Sequence, residues 1–118
     1  MNPYLDIKNE NIIEILSEVQ RKAKELTGEH LVKVILYGSY ARNSQDKYSD
    51  IDIMILVEDS EENIKKYEDC FLDIAFELSL KYDILLSVIF KSNNQYNRYL
   101  DILPFYMNIQ REGIEIYG

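Results

Sequence analysis

Between Asn11 and Thr27 apolar residues recur at Ile12, Leu16, Val19, Ala23 and Leu26, in alternating steps of four and three. That spacing predicts an amphipathic helix, and Gly28 follows where a left-handed cap wants glycine. Leu31 to Tyr37 is rich in β-branched and apolar residues and runs straight into Gly38-Ser39, so it reads as a buried strand ending in a sharp turn. Asp50 to Val57 reads as a second strand. Asp59 and Ser60 then offer an N-cap, with Glu62 at capping-box distance, to a helical stripe of Ile64, Tyr67, Phe71, Ile74, Ala75 and Leu78 that lasts to Lys81. The acidic run Glu58-Asp59-Ser60-Glu61-Glu62 fits the start of that helix, where negative charge complements the dipole. Asp83 to Phe90 is expected as a third strand. After it, Ser92 and Gln95 make a second capping box for a helix through Tyr96, Tyr99, Leu100 and Leu103, which Pro104 is expected to interrupt and Gly113 to end. The order helix, strand, strand, helix, strand, helix predicts an α/β (α+β) fold, a small mixed sheet flanked by helices. No repeat or linker interrupts it, and residues 1–118 are expected to form a single domain.

Within the second strand, alternation places Asp50 and Asp52 on one face with Met54 and Leu56, and Ile51, Ile53, Ile55 and Val57 on an apolar opposite face. Two carboxylates side by side repel each other and raise each other's pKa, an arrangement that calls for a cation between them. Hard oxygen ligands in a short row suit Mg²⁺ bridging a polyphosphate. Separated from Asp50 by ten intervening residues, the Gly38-Ser39 pair supplies the matching part: Gly38 permits a tight turn and Ser39 offers its amide and hydroxyl to phosphate oxygens at a helix N-terminus, with Arg42 one turn on within reach of the terminal phosphates. In the third strand Ile84, Leu86, Val88 and Phe90 form an apolar face, and Asp83, Leu85, Ser87 and Ile89 the other. A parallel right-handed crossover would bring Asp83 to the sheet edge that carries Asp50 and Asp52, with Ser87 facing the pocket as the alternative third member.

Composition narrows the partners. Thirteen basic against 21 acidic residues give a net charge of −8, a surface that repels polyphosphate chains, so long nucleic acid is not expected as the main substrate. Apolar residues make up 47% and charged residues 29%, with four glycines and two prolines, as in an ordinary folded chain. The N-terminus Met1 to Asp6 lacks a signal pattern, the longest uncharged apolar stretch is Ile84 to Phe90, and Cys70 stands alone. A cytoplasmic, reducing setting without a membrane span is the expectation. Cys70 reads as a core or boundary residue, His30 as a surface or capping residue, and most of the ten tyrosines as amphipathic core-edge residues. Tyr40 and Tyr48 are the two tyrosines placed to touch a nucleotide.

The pattern Gly-Ser, ten residues, Asp-x-Asp, with an apolar strand before the Gly and running on from the Asp pair, resembles the nucleotidyltransferase superfamily of the DNA polymerase β type. More closely, nearly the whole chain resembles the minimal nucleotidyltransferase domains that act as antitoxins to HEPN ribonuclease toxins. By that resemblance Gly38 and Ser39 bind a triphosphate, ATP by family habit, and Asp50 and Asp52 hold two Mg²⁺ ions. A third acidic residue, here Asp83, helps with metal or with the attacking hydroxyl. The implied function is transfer of AMP to a hydroxyl, a tyrosine for choice, of a HEPN-type partner protein. The alternative is an antitoxin with a decayed site that only masks its partner. A small-molecule enzyme of the aminoglycoside nucleotidyltransferase kind would need an added acceptor domain. Asn43 stands where the family commonly has glycine, and Asn tolerates left-handed backbone better than other non-glycine residues.

Overall fold

The computed structural model describes residues 10–46 and 49–118. The chain runs through α1 (Glu10–Thr27), β1 (Leu31–Tyr37), β2 (Ile51–Val57), α2 (Glu61–Tyr82), β3 (Leu86–Ser92), α3 (Asn93–Tyr99), α4 (Pro104–Glu112) and β4 (Ile114–Tyr117), with a 3₁₀ turn at Gly28–His30. The four strands form one sheet in the order β3-β2-β1-β4. β1 is antiparallel to both β2 and β4, and β2 is parallel to β3. The expected mixed sheet flanked by helices is therefore present.

Alternation along the strands divides the interior into two layers. Val34 and Leu36 of β1, Ile51, Ile53, Ile55 and Val57 of β2, and Leu86 and Phe90 of β3 pack beneath α1 and α2. α1 contributes Ile12, Ile15, Leu16, Val19 and Ala23, and α2 contributes Ile64, Phe71, Ala75 and Leu78. Each fully buried Leu, Ile or Val here contributes roughly 1.5–3 kcal/mol. On the other face Ile35, Met54 and Leu56 pack against Tyr96 of α3 and Tyr106 and Ile109 of α4. Burial on this face falls along β2 from 0% exposure at Met54 and Leu56 to a half-buried Asp52, because α3 and α4 cover the far half of the strands. The end of β2 where Asp50 and Asp52 stand is left open to solvent.

Three boundaries differ from expectation. α2 runs to Tyr82, and Asp83 is its C-cap in the left-handed conformation (φ 53°), its amide donating to the Ser79 carbonyl. β3 then begins at Leu86, not at Asp83, because a helix that closes with a left-handed residue needs a short link before the chain can turn extended. Pro104 opens α4 rather than interrupting a helix, since the first turn has no use for the missing N–H. Beyond Gly113 lies β4, a strand the sequence reading did not include. The two caps did form as serine caps: Ser60 Oγ accepts from the Asn63 amide, and Ser92 Oγ accepts from the Gln95 amide. Cys70 is exposed, not core or boundary, because it sits beside rather than on the buried stripe of α2.

Candidate functional site

The site is built where β1 ends. Gly38 takes φ 77°, open to glycine at no steric cost, and a Cβ at this position would collide with Asp52 Oδ2. The turn thus lies directly against the Asp52 carboxylate. The Gly38 carbonyl accepts from the amides of Ala41 (3.1 Å) and Arg42 (3.2 Å), and the Ser39 carbonyl accepts from the amide of Ser44 (2.9 Å). This is one helical turn, not the start of a helix as expected. It closes at Asn43, whose φ of 56° is the left-handed conformation that Asn adopts more readily than other side-chain-bearing residues.

Pairing carries the turn across the sheet. Tyr37 is opposite Asp52 in the β1–β2 ladder, and Asp52 is in register with Ser87 in the β2–β3 ladder. Tyr37, Asp52 and Ser87 therefore form a row on one face, one strand apart, with Asp50 one step nearer the open end. Burial pushes the Asp52 carboxyl above the ordinary carboxylate value, neighbouring Asp50 adds to the rise, and Arg42 partly opposes it. Burial also pushes the Tyr37 phenol up to about 12, with the Asp52 charge adding to it, so the hydroxyl stays protonated at neutral pH. Tyr40 is raised too, by burial and then by Asp46 and Asp50. An edge-to-face contact with Phe105, 5.7 Å between centroids, walls the Tyr37 side.

Gly38 lies against Asp52, Asp50 and Arg42 stand near enough to act on the Asp52 charge, and Ser39 belongs to the same turn as Gly38. Arg42 Nη1 is paired with Glu112 Oε2 of α4 at 3.4 Å, on a half-exposed surface where such a pair is weak and exchangeable. Asp83 does not join them. It sits three residues ahead of β3 and lines, with Leu80 and Ile84, the hollow that adjoins the one reaching Asp50, and among the described residues no three His, Cys, Asp or Glu side chains are grouped as metal ligands. The strand end that meets Asp50 and Asp52 carries Ser87, the alternative position. Tyr37 was missed: its place opposite Asp52 depends on the β1–β2 register, which the ten-residue spacing does not reveal. Tyr48 lies outside the described residues, as does the Met1 to Asp6 segment. His30 is a surface residue, its Nδ1 donating to the Glu58 carbonyl at 2.8 Å.

The donor set fits Mg²⁺. Two adjacent carboxylates supply hard oxygens whose mutual repulsion a cation would relieve, and this ion is commonly held by one or two carboxylates with phosphate and water completing its shell. A mixed sheet presenting paired carboxylates beneath a glycine-led turn is the framework of a phosphoryl-group transferase of the nucleotidyl-transferring class.

Sequence comparison agrees: residues 12–113 match the family described as "Nucleotidyltransferase domain", and the chain belongs to that family. Two relatives from Methanocaldococcus jannaschii carry the name "Putative protein adenylyltransferase". The chain is 35% identical to MJ0141 over 105 residues, covering 89% of this chain and 98% of the relative. It is 33% identical to MJ0604 over 85 residues, covering 72% and 77%. Among solved structures, a chain of a toxin-antitoxin with AMP-PNP shares the fold at a TM-score of 0.52 and 22% identity, covering 95% of this chain and 74% of that one. A chain of the toxin-antitoxin MntA-HpeT does so at 0.54 and 20%, covering 87% and 73%.

Proposed function

We propose that the chain transfers AMP from ATP to a hydroxyl, a tyrosine for choice, of a partner protein of the HEPN ribonuclease kind, and so acts as an antitoxin. The observation that supports this most directly is the seating of the Gly38 turn against Asp52, which brings the Gly38-Ser39 turn and a carboxylate pair to one point. The relatives named for protein adenylylation and the fold shared with toxin-antitoxin pairs point the same way.

In this reading the amides of Ser39 and Tyr40, ahead of the first hydrogen bonds of the turn, and the Ser39 hydroxyl hold the triphosphate. Arg42 leaves Glu112 and takes the leaving phosphates. Asp50 and Asp52 would hold two Mg²⁺ ions, which supply charge neutralisation on the triphosphate and a lower pKa for a coordinated hydroxyl. The acceptor oxygen attacks the α-phosphorus in line, giving its proton to solvent water as the new O–P bond forms, while the bond from the α-phosphorus to the bridging oxygen breaks and pyrophosphate departs. Tyr37, protonated beside Asp52, remains a hydrogen-bond donor toward that reaction face. Asp83 has no part in this scheme.

Incubation of the chain with ATP, Mg²⁺ and the HEPN partner, followed by mass spectrometry of the partner, should show discrete additions of adenylyl mass. Asp50→Asn with Asp52→Asn should lower the rate on the order of a thousandfold, since several kcal/mol of transition-state stabilisation go with the ions. Inhibition of the partner with no mass change, produced equally by the double variant, would establish masking instead.

A further inference from the structure

α2 presents to solvent a row that its buried stripe does not explain. Leu72, Phe76 and Leu80 recur every fourth residue and are 62%, 56% and 70% exposed, and Leu85, between α2 and β3, is 60% exposed. Isolated exposed apolar residues are unremarkable, but four that line one hollow mark an interaction surface. They line a groove of about 520 Å³ between α2 and the link into β3. A second hollow of about 260 Å³ shares Leu72 and Leu85 with it and ends at Asp50 and Ser87. The apolar groove is thus continuous with the open end of the candidate site.

Charge selects what can lie there. From Tyr67 to Leu80 the chain has four carboxylates, Glu68, Asp69, Asp73 and Glu77, and no lysine or arginine. Asp69, Asp73 and Glu77 are exposed beside the apolar row. A second copy of this chain would bring matching carboxylates face to face, which costs several kcal/mol across an interface. A basic segment with apolar anchors would meet both features at once.

We propose that this groove docks the protein acceptor, taking a basic amphipathic segment whose apolar side chains seat among Leu72, Phe76, Leu80 and Leu85 and whose course leads the acceptor hydroxyl to Asp50 and Asp52. The proposal rests on the transferase reading for the identity of the partner. Its test measures association apart from transfer. Binding of the HEPN partner is followed by calorimetry without ATP, for wild type, for Leu72→Ser with Phe76→Ser, for Asp73→Lys with Glu77→Lys, and for Asp50→Asn with Asp52→Asn. The substituted groove positions are solvent-exposed, and a circular dichroism spectrum and thermal midpoint matching wild type verify that each groove variant is folded. The apolar pair should weaken partner binding about tenfold or more, as loss of anchor residues does. The charge-reversal pair should weaken it at low salt and flatten its salt dependence. The Asp50/Asp52 variant, which lacks two carboxylates at the far end of the groove, should lose less affinity than either groove variant. Wild-type affinity in both groove variants, or no association of the wild-type chain with the partner, would overturn the proposal. Loss of binding in the groove variants together with no adenylyl mass from the wild type would uphold the groove and sink the transferase reading.

Discussion

Gly38 is the residue on which the site's geometry depends most sharply. A methyl group there meets two penalties, the collision with Asp52 Oδ2 and a left-handed backbone that costs a side-chain-bearing residue roughly 1–2 kcal/mol. Gly38→Ala should therefore lower stability by at least about that amount and also displace the carboxylate, so that ATP-dependent transfer falls more than stability alone explains. Chemical denaturation and transfer rates on the same preparation check this, and a variant with normal activity would show that Asp52 need not lie against the turn. The Gly-Ser and Asp-x-Asp signatures were legible in sequence because each rests on local chemistry: strand alternation for Asp50 and Asp52, and the need for positive φ at Gly38. Tyr37 was not legible, because a tyrosine at a strand end looks like any other core-edge residue until the pairing of β1 with β2 sets it opposite Asp52.

At the scale of elements, periodicity located both long helices and three of the four strands, and it failed at junctions. Asp83 shows why: an acidic residue between a helix and an apolar run fits a helix cap and a strand opening equally well in sequence, and only the helix's actual end decides. Since it is a left-handed cap, Asp83→Gly should leave thermal stability within about 1 kcal/mol of wild type and leave kcat at saturating partner essentially unchanged. A large loss of kcat with the fold intact would restore it to the active site. β4 was missed for a related reason, as four residues with modest alternation carry little signal without the edge of β1 to pair with. At the other end of α2, Asp59 accepts from the Tyr67 hydroxyl, the Asn63 side chain and the Ser60 amide, and these hydrogen bonds hold its carboxyl at about 2, below the ordinary 3.8. A depressed carboxylate stabilises the fold above its unfolded pKa, and that contribution is lost as pH falls from about 3.8 through 2. Acid unfolding followed by circular dichroism should thus show Asp59→Asn less stable than wild type at neutral pH, the gap closing across that window.

For the molecule as a whole, the sheet is a wall between two unequal interiors. Among the described residues, 19 buried side chains form the layer with α1 and α2, and six form the layer with α3 and α4. Cooperative units with less buried apolar surface open at lower free energy. Amides of α3 and α4 should accordingly exchange with deuterium well before those of β1 and β2, in an opening that leaves the larger layer intact; equal protection in both would refute the division. The thin layer is also the one that holds Glu112 on Arg42 and Phe105 against Tyr37. One wall of the site therefore hangs on the layer expected to open first, so that under the proposed function the exchange rate of α4 would report whether a nucleotide had drawn Arg42 away.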